Sequence, residues 1–145
     1  MKGFTLIESL LVIGIFSFVA SFAVPIGLNF YRSHQLETVS QEIIQNARKA
    51  QLQSMMILRD SSFGIHFDAQ KNAYILFQGT SYAARATQFD ETYLLPKILK
   101  ESGLQEVVFS KEEGKPNVIG DIVVSTDTNT KSTININAVG RINLK

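Results

Sequence analysis

The sequence predicts an α+β fold: a long N-terminal α-helix, transmembrane in its first half and amphipathic in its second, packed on a small C-terminal antiparallel β-sheet domain. Three observations predict it. From Phe4 to Val24 the chain is apolar or small except for one charged residue, Glu8. A stripe at helical spacing follows, in Leu36, Val39, Ile43, Ala47 and Ala50. From Phe63 onward, apolar residues recur with a period of two between turn-rich stretches.

The apolar run sets the first element. Residues 4–24 rise ~1.5 Å each as a helix, which gives roughly the 30 Å of a bilayer core. A secretory signal peptide would carry an apolar region of only ~7–15 residues ahead of a small-x-small cleavage site. Lys2, on the short N-terminal side, favours a cytoplasmic N-terminus, with the remainder of the chain outside. Glu8 is the oddity. A carboxylate costs ~2.5–3.5 kcal/mol at the centre of a membrane helix and less near its end. A position near the helix start also suits the helix dipole. The residue therefore calls for a partner or an interfacial place.

Pro25 takes a hydrogen bond away from the Ser21 carbonyl. The hydroxyls of Ser17 and Ser21 can satisfy freed backbone groups in lipid, so the helix is expected to continue. Beyond it, Glu37, Gln41, Gln45, Arg48 and Lys49 lie off the apolar stripe, and no glycine or proline occurs between Leu28 and Arg59. One helix from about Phe4 to Leu58 is predicted, on the order of 80 Å long.

The remaining elements are short strands. Phe63–Phe67 and Ala73–Gln78 flank the turn-rich Asp68–Asn72 and read as a hairpin. Gly79–Asp90 reads as a loop. Tyr93–Leu95 and Glu106–Phe109 follow as strands, then a turn at Lys111–Asn117. Asp121–Ser125, Thr133–Asn137 and Arg141–Leu144 complete the β-rich half.

Composition narrows the chemistry. Fourteen basic and thirteen acidic residues leave a net charge of +1, which gives no electrostatic case for nucleic acid as the main partner. With no cysteine there is no disulfide, thiolate metal site or cysteine nucleophile. His34 and His66 are the only histidines. His66 and Asp68 share a strand face, but two ligands do not make a metal site. Asp127-Thr128-Asn129 carries calcium-type oxygens, and a polar turn is the commoner use of such a triplet. Arg32, Arg48, Lys49 and Arg59 could line a DNA-contacting face and are better read as solvated helix residues. Phe63, Phe67, Tyr74 and Phe77 alternate as core residues do. No G-x-S-x-G, Walker loop or H-E-x-x-H is present, so neither enzyme activity nor a cofactor is expected.

The stretch GFTLIE and the apolar run after it resemble the N-terminal signal of type IV pilins and type II secretion pseudopilins. The resemblance implies a pilin fold. It implies cleavage after Gly3 by a prepilin peptidase, N-methylation of the new terminus Phe4, and assembly through Glu8 and the helix containing Pro25. Glu8 would then meet the Phe4 amine of a neighbouring subunit. ARKAQLQSMMILRDSSFGIHFDAQKNAYILFQG and TININAVGRINLK resemble minor pseudopilins of the H type (GspH/FimT-like). The absence of a cysteine pair leans the same way, toward a minor subunit.

The implied domains are a leader at 1–3, a transmembrane and filament-core helix at 4–30, and 31–145 as the amphipathic half-helix with the β domain. The implied partners are other pilin or pseudopilin subunits, the prepilin peptidase, an inner-membrane assembly platform and the bilayer. The implied location is the inner membrane, single-pass, with the β domain outside the cytoplasm and the protein in a filament after assembly. Two alternatives stand beside this reading. One is a tip pilin that binds DNA or another ligand, against which Gly79–Asp90 carries only Arg85 as a cation. The other is a plain membrane-anchored domain, for which Glu8 would be dispensable.

Overall fold

The computed structural model describes residues 5–145. Helix α1 spans Leu6–Met55. Eight strands follow it: β1 Phe63–Asp68, β2 Ala73–Gln78, β3 Glu91–Leu94, β4 Leu99–Gly103, β5 Glu106–Phe109, β6 Gly120–Thr126, β7 Lys131–Ile136 and β8 Ile142–Leu144. They form two four-stranded antiparallel sheets, ordered β3-β2-β1-β5 and β4-β6-β7-β8. The fold is therefore the expected helix on antiparallel sheet, with the β half divided in two. By compactness the chain divides after His34, and Gln35–Lys145 is the second unit.

Within that second unit the helix and both sheets share one core. The whole anticipated stripe is buried: Leu36, Val39, Ile43, Ala47 and Ala50. Ser40, Ile44 and Ser54 widen it. A serine is tolerated there because its hydroxyl finds a backbone acceptor: Ser40 Oγ donates to the Leu36 carbonyl at 2.7 Å. Alternation along β1 and β2 sends Phe63, Ile65, Phe67, Tyr74 and Leu76 to this core, joined by Val107 and Phe109 of β5. The second sheet contributes Leu99, Ile122, Val124, Ile134, Ile136 and Ile142.

The helix ends three residues short of the expected Leu58. Ile57 and Arg59 both take φ of 52°, a left-handed conformation that closes the helix and turns the chain into β1. Ser54 anchors the turn: its buried Oγ accepts from the Phe63 N–H at 2.8 Å. Gln51, one turn earlier, donates its side-chain amide to the carbonyls of Gly114 and Gly140 at 2.8 and 2.9 Å. Two distant loops are thus tied to one helix residue.

Gly79–Asp90 is a loop, as expected, but not an idle one. It covers the outer face of the first sheet, where Ile75, Phe77 and Val108 form a second small core with Tyr82. Gly64 makes room for it. A Cβ there would stand 2.5 Å from the Val107 carbonyl oxygen and 2.8 Å from Phe77 Cζ.

Candidate functional site

The first unit carries the most unusual surface in the described chain. From Thr5 to Tyr31 every residue is exposed. Exposure of its large apolar side chains runs from 39% at Val12 to 83% at Leu6. Soluble monomers rarely leave a contiguous apolar surface beyond a few hundred Å² open to water. A helix apolar on all sides needs lipid or other helices around it. By length and composition α1 is long and apolar enough to cross a membrane.

The chemistry at its start is specific. Thr5 precedes the first helical residue, and its Oγ1 accepts from the Glu8 N–H at 3.3 Å, while the Ser9 N–H bonds to the Thr5 carbonyl at 3.1 Å. Threonine before the helix with glutamate three residues on is the sequence of a capping box. Glu8 thus lies in the first turn, where the carboxylate meets the positive end of the helix dipole. Gly3 and Phe4, the residues on either side of the expected cleavage point, lie outside the described residues.

Pro25 sits inside α1, which runs through it without a break. Ser21, whose carbonyl the proline leaves without its usual donor, turns its own hydroxyl to the Phe18 carbonyl at 2.7 Å. At Gly14 and Gly27 an added Cβ would meet nothing within 4 Å. The small positions of this segment are therefore open to a neighbouring helix. His34 packs its ring edge-on to Phe30, with 4.6 Å between centroids.

In the second unit, the cations that could line a DNA-contacting face make contacts within the domain. Arg48 Nη2 donates to the Ile142 carbonyl at 2.8 Å. Lys49 Nζ reaches the Glu91 carboxylate at 2.6 Å, and Tyr93 donates to the same group. These bonds hold the Glu91 carboxyl below the usual carboxylate range, the Lys49 hydrogen bond foremost. The Arg59 guanidinium lies 4.1 Å over the Phe89 ring. Arg48 and Arg59 are exposed and Lys49 half-exposed, as expected of solvated residues, and each also makes a contact to the sheets or the covering loop.

Arg85, the one cation of the covering loop, is equally committed. Its guanidinium lies 3.7 Å over the Tyr82 ring and pairs with Asp90 at 2.7 Å. The other face of Tyr82 stacks on His66, with 3.8 Å between centroids. Glu106 completes the cluster. Its Oε1 accepts the Tyr82 N–H at 3.0 Å, and its Oε2 lies 3.6 Å from His66 Nδ1. His66 thus lies against Tyr82 and Glu106. Asp68 caps its own turn, accepting from the Gln70 and Lys71 N–H groups at 3.1 Å each. Among the described residues no three His, Asp or Glu side chains converge to hold a metal ion.

The Asp127–Asn129 triplet closes the β6–β7 hairpin. Here the Thr126 hydroxyl organises the turn, 2.9 Å from Thr128 Oγ1 and accepting the Thr130 N–H at 3.2 Å.

No protein-family model matches the sequence, and no curated protein matches it either. Solved structures do. Two structures of EpsH, a minor pseudopilin of the type 2 secretion system of Vibrio cholerae, each align with a TM-score of 0.59. The alignments cover 77% of this chain and 96% and 93% of the EpsH chains, at 10% and 9% identity. At that identity the likeness is one of fold, and it is a full-domain likeness: a helix on paired antiparallel sheets, the pseudopilin fold.

Proposed function

We propose that this chain is a structural subunit, a minor pilin or pseudopilin of the H type, in a type IV pilus or a type II secretion pseudopilus. The observation that carries the reading is a fully exposed apolar helix segment whose chain continues into a β domain of pseudopilin fold. Before assembly the segment lies in the inner membrane with Lys2 on the cytoplasmic side and the β domain outside. After assembly it lies among the same segments of other subunits. Both environments supply the apolar surroundings that the bare helix needs.

In this reading prepilin peptidase cuts after Gly3 and methylates Phe4, and an assembly platform feeds the subunit into the filament. Glu8 supplies the counter-charge for the Phe4 amine of a neighbour. A buried ion pair offsets two desolvation costs, so its value lies in fixing axial register more than in adding stability. A tip pilin that reads DNA draws no support from the loop, because Arg85 is already neutralised by Asp90.

Intact-mass measurement of protein extracted from membranes of cells with an active prepilin peptidase tests the processing. The expected product lacks Met1–Gly3 and carries one added methyl group, and Gly3→Ala blocks its formation. A wild-type product that still begins at Met1 would contradict the reading.

A further inference from the structure

The chain has no cysteine, and its three methionines are Met1, Met55 and Met56. Met1 lies outside the described residues. Reversible sulfur oxidation in the second unit is thereby confined to one adjacent pair, at the point where α1 ends. Both side chains reach solvent: Met55 is 47% exposed and Met56 68%.

Met55 packs on the turn Lys111–Gly114, where Gly114 is buried. A Cβ on Gly114 would stand 2.7 Å from Met55 Cγ and 2.9 Å from its Sδ, with Gln51 Cγ next at 3.1 Å. The thioether thus fills the space that a side chain on the turn would need. Gly114 takes φ of 63°, a left-handed conformation that glycine adopts freely. Three further contacts tie the turn to α1 and the residues after it. Gln51 Nε2 donates to the Gly114 carbonyl at 2.8 Å, and the Glu112 N–H donates to the Ser54 carbonyl at 3.3 Å. Lys111 Nζ pairs with Asp60 at 2.8 Å. Two of the three are weak. The Lys111–Asp60 pair is exposed, and exposed pairs contribute little. Glu112 holds φ of 65°, which a residue with a Cβ adopts at a cost. The turn therefore leans on Met55 and Gln51.

We propose that Met55 and Met56 form an oxidation site for peroxides, and that sulfoxide formation at Met55 loosens the Lys111–Gly114 turn from the end of α1. A sulfur lone pair attacks one oxygen of the peroxide and the O–O bond breaks. The departing hydroxide takes up the proton of the transferred oxygen and leaves as water. Sulfur is oxidised and the peroxide reduced. A flexible apolar side chain becomes a polar one with one oxygen more. Against Gly114 that oxygen has no room, and its need for a hydrogen-bond donor draws the side chain toward water. Met56, the more exposed of the two, takes oxygen first and leaves the turn in place. The site does not depend on the filament reading, because both residues and the turn belong to the second unit.

The test treats the full chain in a non-ionic detergent with graded hydrogen peroxide. Peptide mapping by mass spectrometry follows the added oxygen at Met55 and Met56. Two-dimensional NMR follows hydrogen exchange of the Gly114 amide, which bonds to the Ser110 carbonyl at 3.0 Å. The Thr126 amide, bonded to the Thr130 carbonyl in the β6–β7 hairpin, is the reference. Oxidation of Met56 should leave both rates unchanged. Oxidation of Met55 should speed Gly114 exchange at least about fivefold and leave Thr126 as it was. Methionine sulfoxide reductases for both epimers should restore the slow rate. Met55→Leu, which conserves volume, should stay slow in peroxide, and Met55→Gln should be fast without it. A Met55 left unoxidised by a dose that converts Met56 fully would overturn the proposal. So would a Gly114 rate that ignores Met55 oxidation, or one that rises equally in Met55→Leu. Oxidation and its reversal on the wild-type chain decide the matter independently of how the variants fold.

Discussion

Single residues set the charge behaviour of the domain. Glu101 is raised to about 7 by burial, above its ordinary value of 4.5. For an acid raised in the folded state, the folded chain holds a proton that the unfolded chain has released. Stability therefore falls as pH rises from about 4.5 to about 7, and levels off above it. Glu91, Asp68 and Asp121 are lowered instead, so their contributions are lost only in more acidic solution. The expected result is a melting temperature for the wild type that declines between pH 5 and pH 7, and a flatter profile for Glu101→Gln. Thermal unfolding followed by circular dichroism checks it, and parallel profiles for the two proteins would contradict it. Nothing in the sequence singles out Glu101, which reads as one more charge in LKESG. Glu8 and Pro25 stand out in the sequence because each breaks an apolar helical pattern, and both lie in α1. A half-buried carboxylate on a polar strand breaks none.

At the scale of elements, legibility followed the density of apolar residues in each strand. β1 alternates with a period of two, β2 and β5 are short apolar runs buried on both faces, and all three lie close to where the sequence put them. Strand β4 was not anticipated, because only Leu99 in it is buried and its edge position leaves polar residues exposed. The division into two sheets was equally hidden, since alternation tells which face is buried but not which strand is the neighbour. The loop Gly79–Asp90 looked small and polar, and its one clue was Tyr82. That ring is held between Arg85 and His66 and meets Phe77 edge-on at 5.7 Å. Tyr82→Ala should uncover Ile75, Phe77 and Val108 and destabilise the domain by about 2–4 kcal/mol, below the ~3–5 kcal/mol for a fully buried ring because Tyr82 is half-buried. Chemical unfolding measures this. A loss below about 0.5 kcal/mol, the size of an ordinary surface change, would show that the loop does not cover the sheet.

At the scale of the whole molecule, the chain divides into a segment that water should not tolerate and a domain that it should. Removing residues 1–30 takes away the exposed apolar run and leaves Leu36–Ala50 under the sheets. The remainder should be soluble, monomeric and folded, with the mixed helix and strand signal of the intact domain. An unfolded or aggregated product by circular dichroism and light scattering would contradict this division.

The central claim is that the N-terminal helix builds a filament through Glu8, and replacing that one residue tests it most directly. Glu8→Leu should reach the membrane at least as well as wild type, because leucine removes a penalty of up to ~2.5–3.5 kcal/mol. Cleavage should proceed, since Gly3 and Phe4 are unchanged. Incorporation should fail, because a neighbour's Phe4 amine would be buried without its counter-charge, at about 3–5 kcal/mol for a broken buried pair. The measurement is the amount of subunit recovered in sheared or cross-linked filaments, normalised to the amount in the membrane. The account predicts a ratio for Glu8→Leu far below that of wild type. An equal ratio would show that Glu8 only anchors the helix end at the membrane surface.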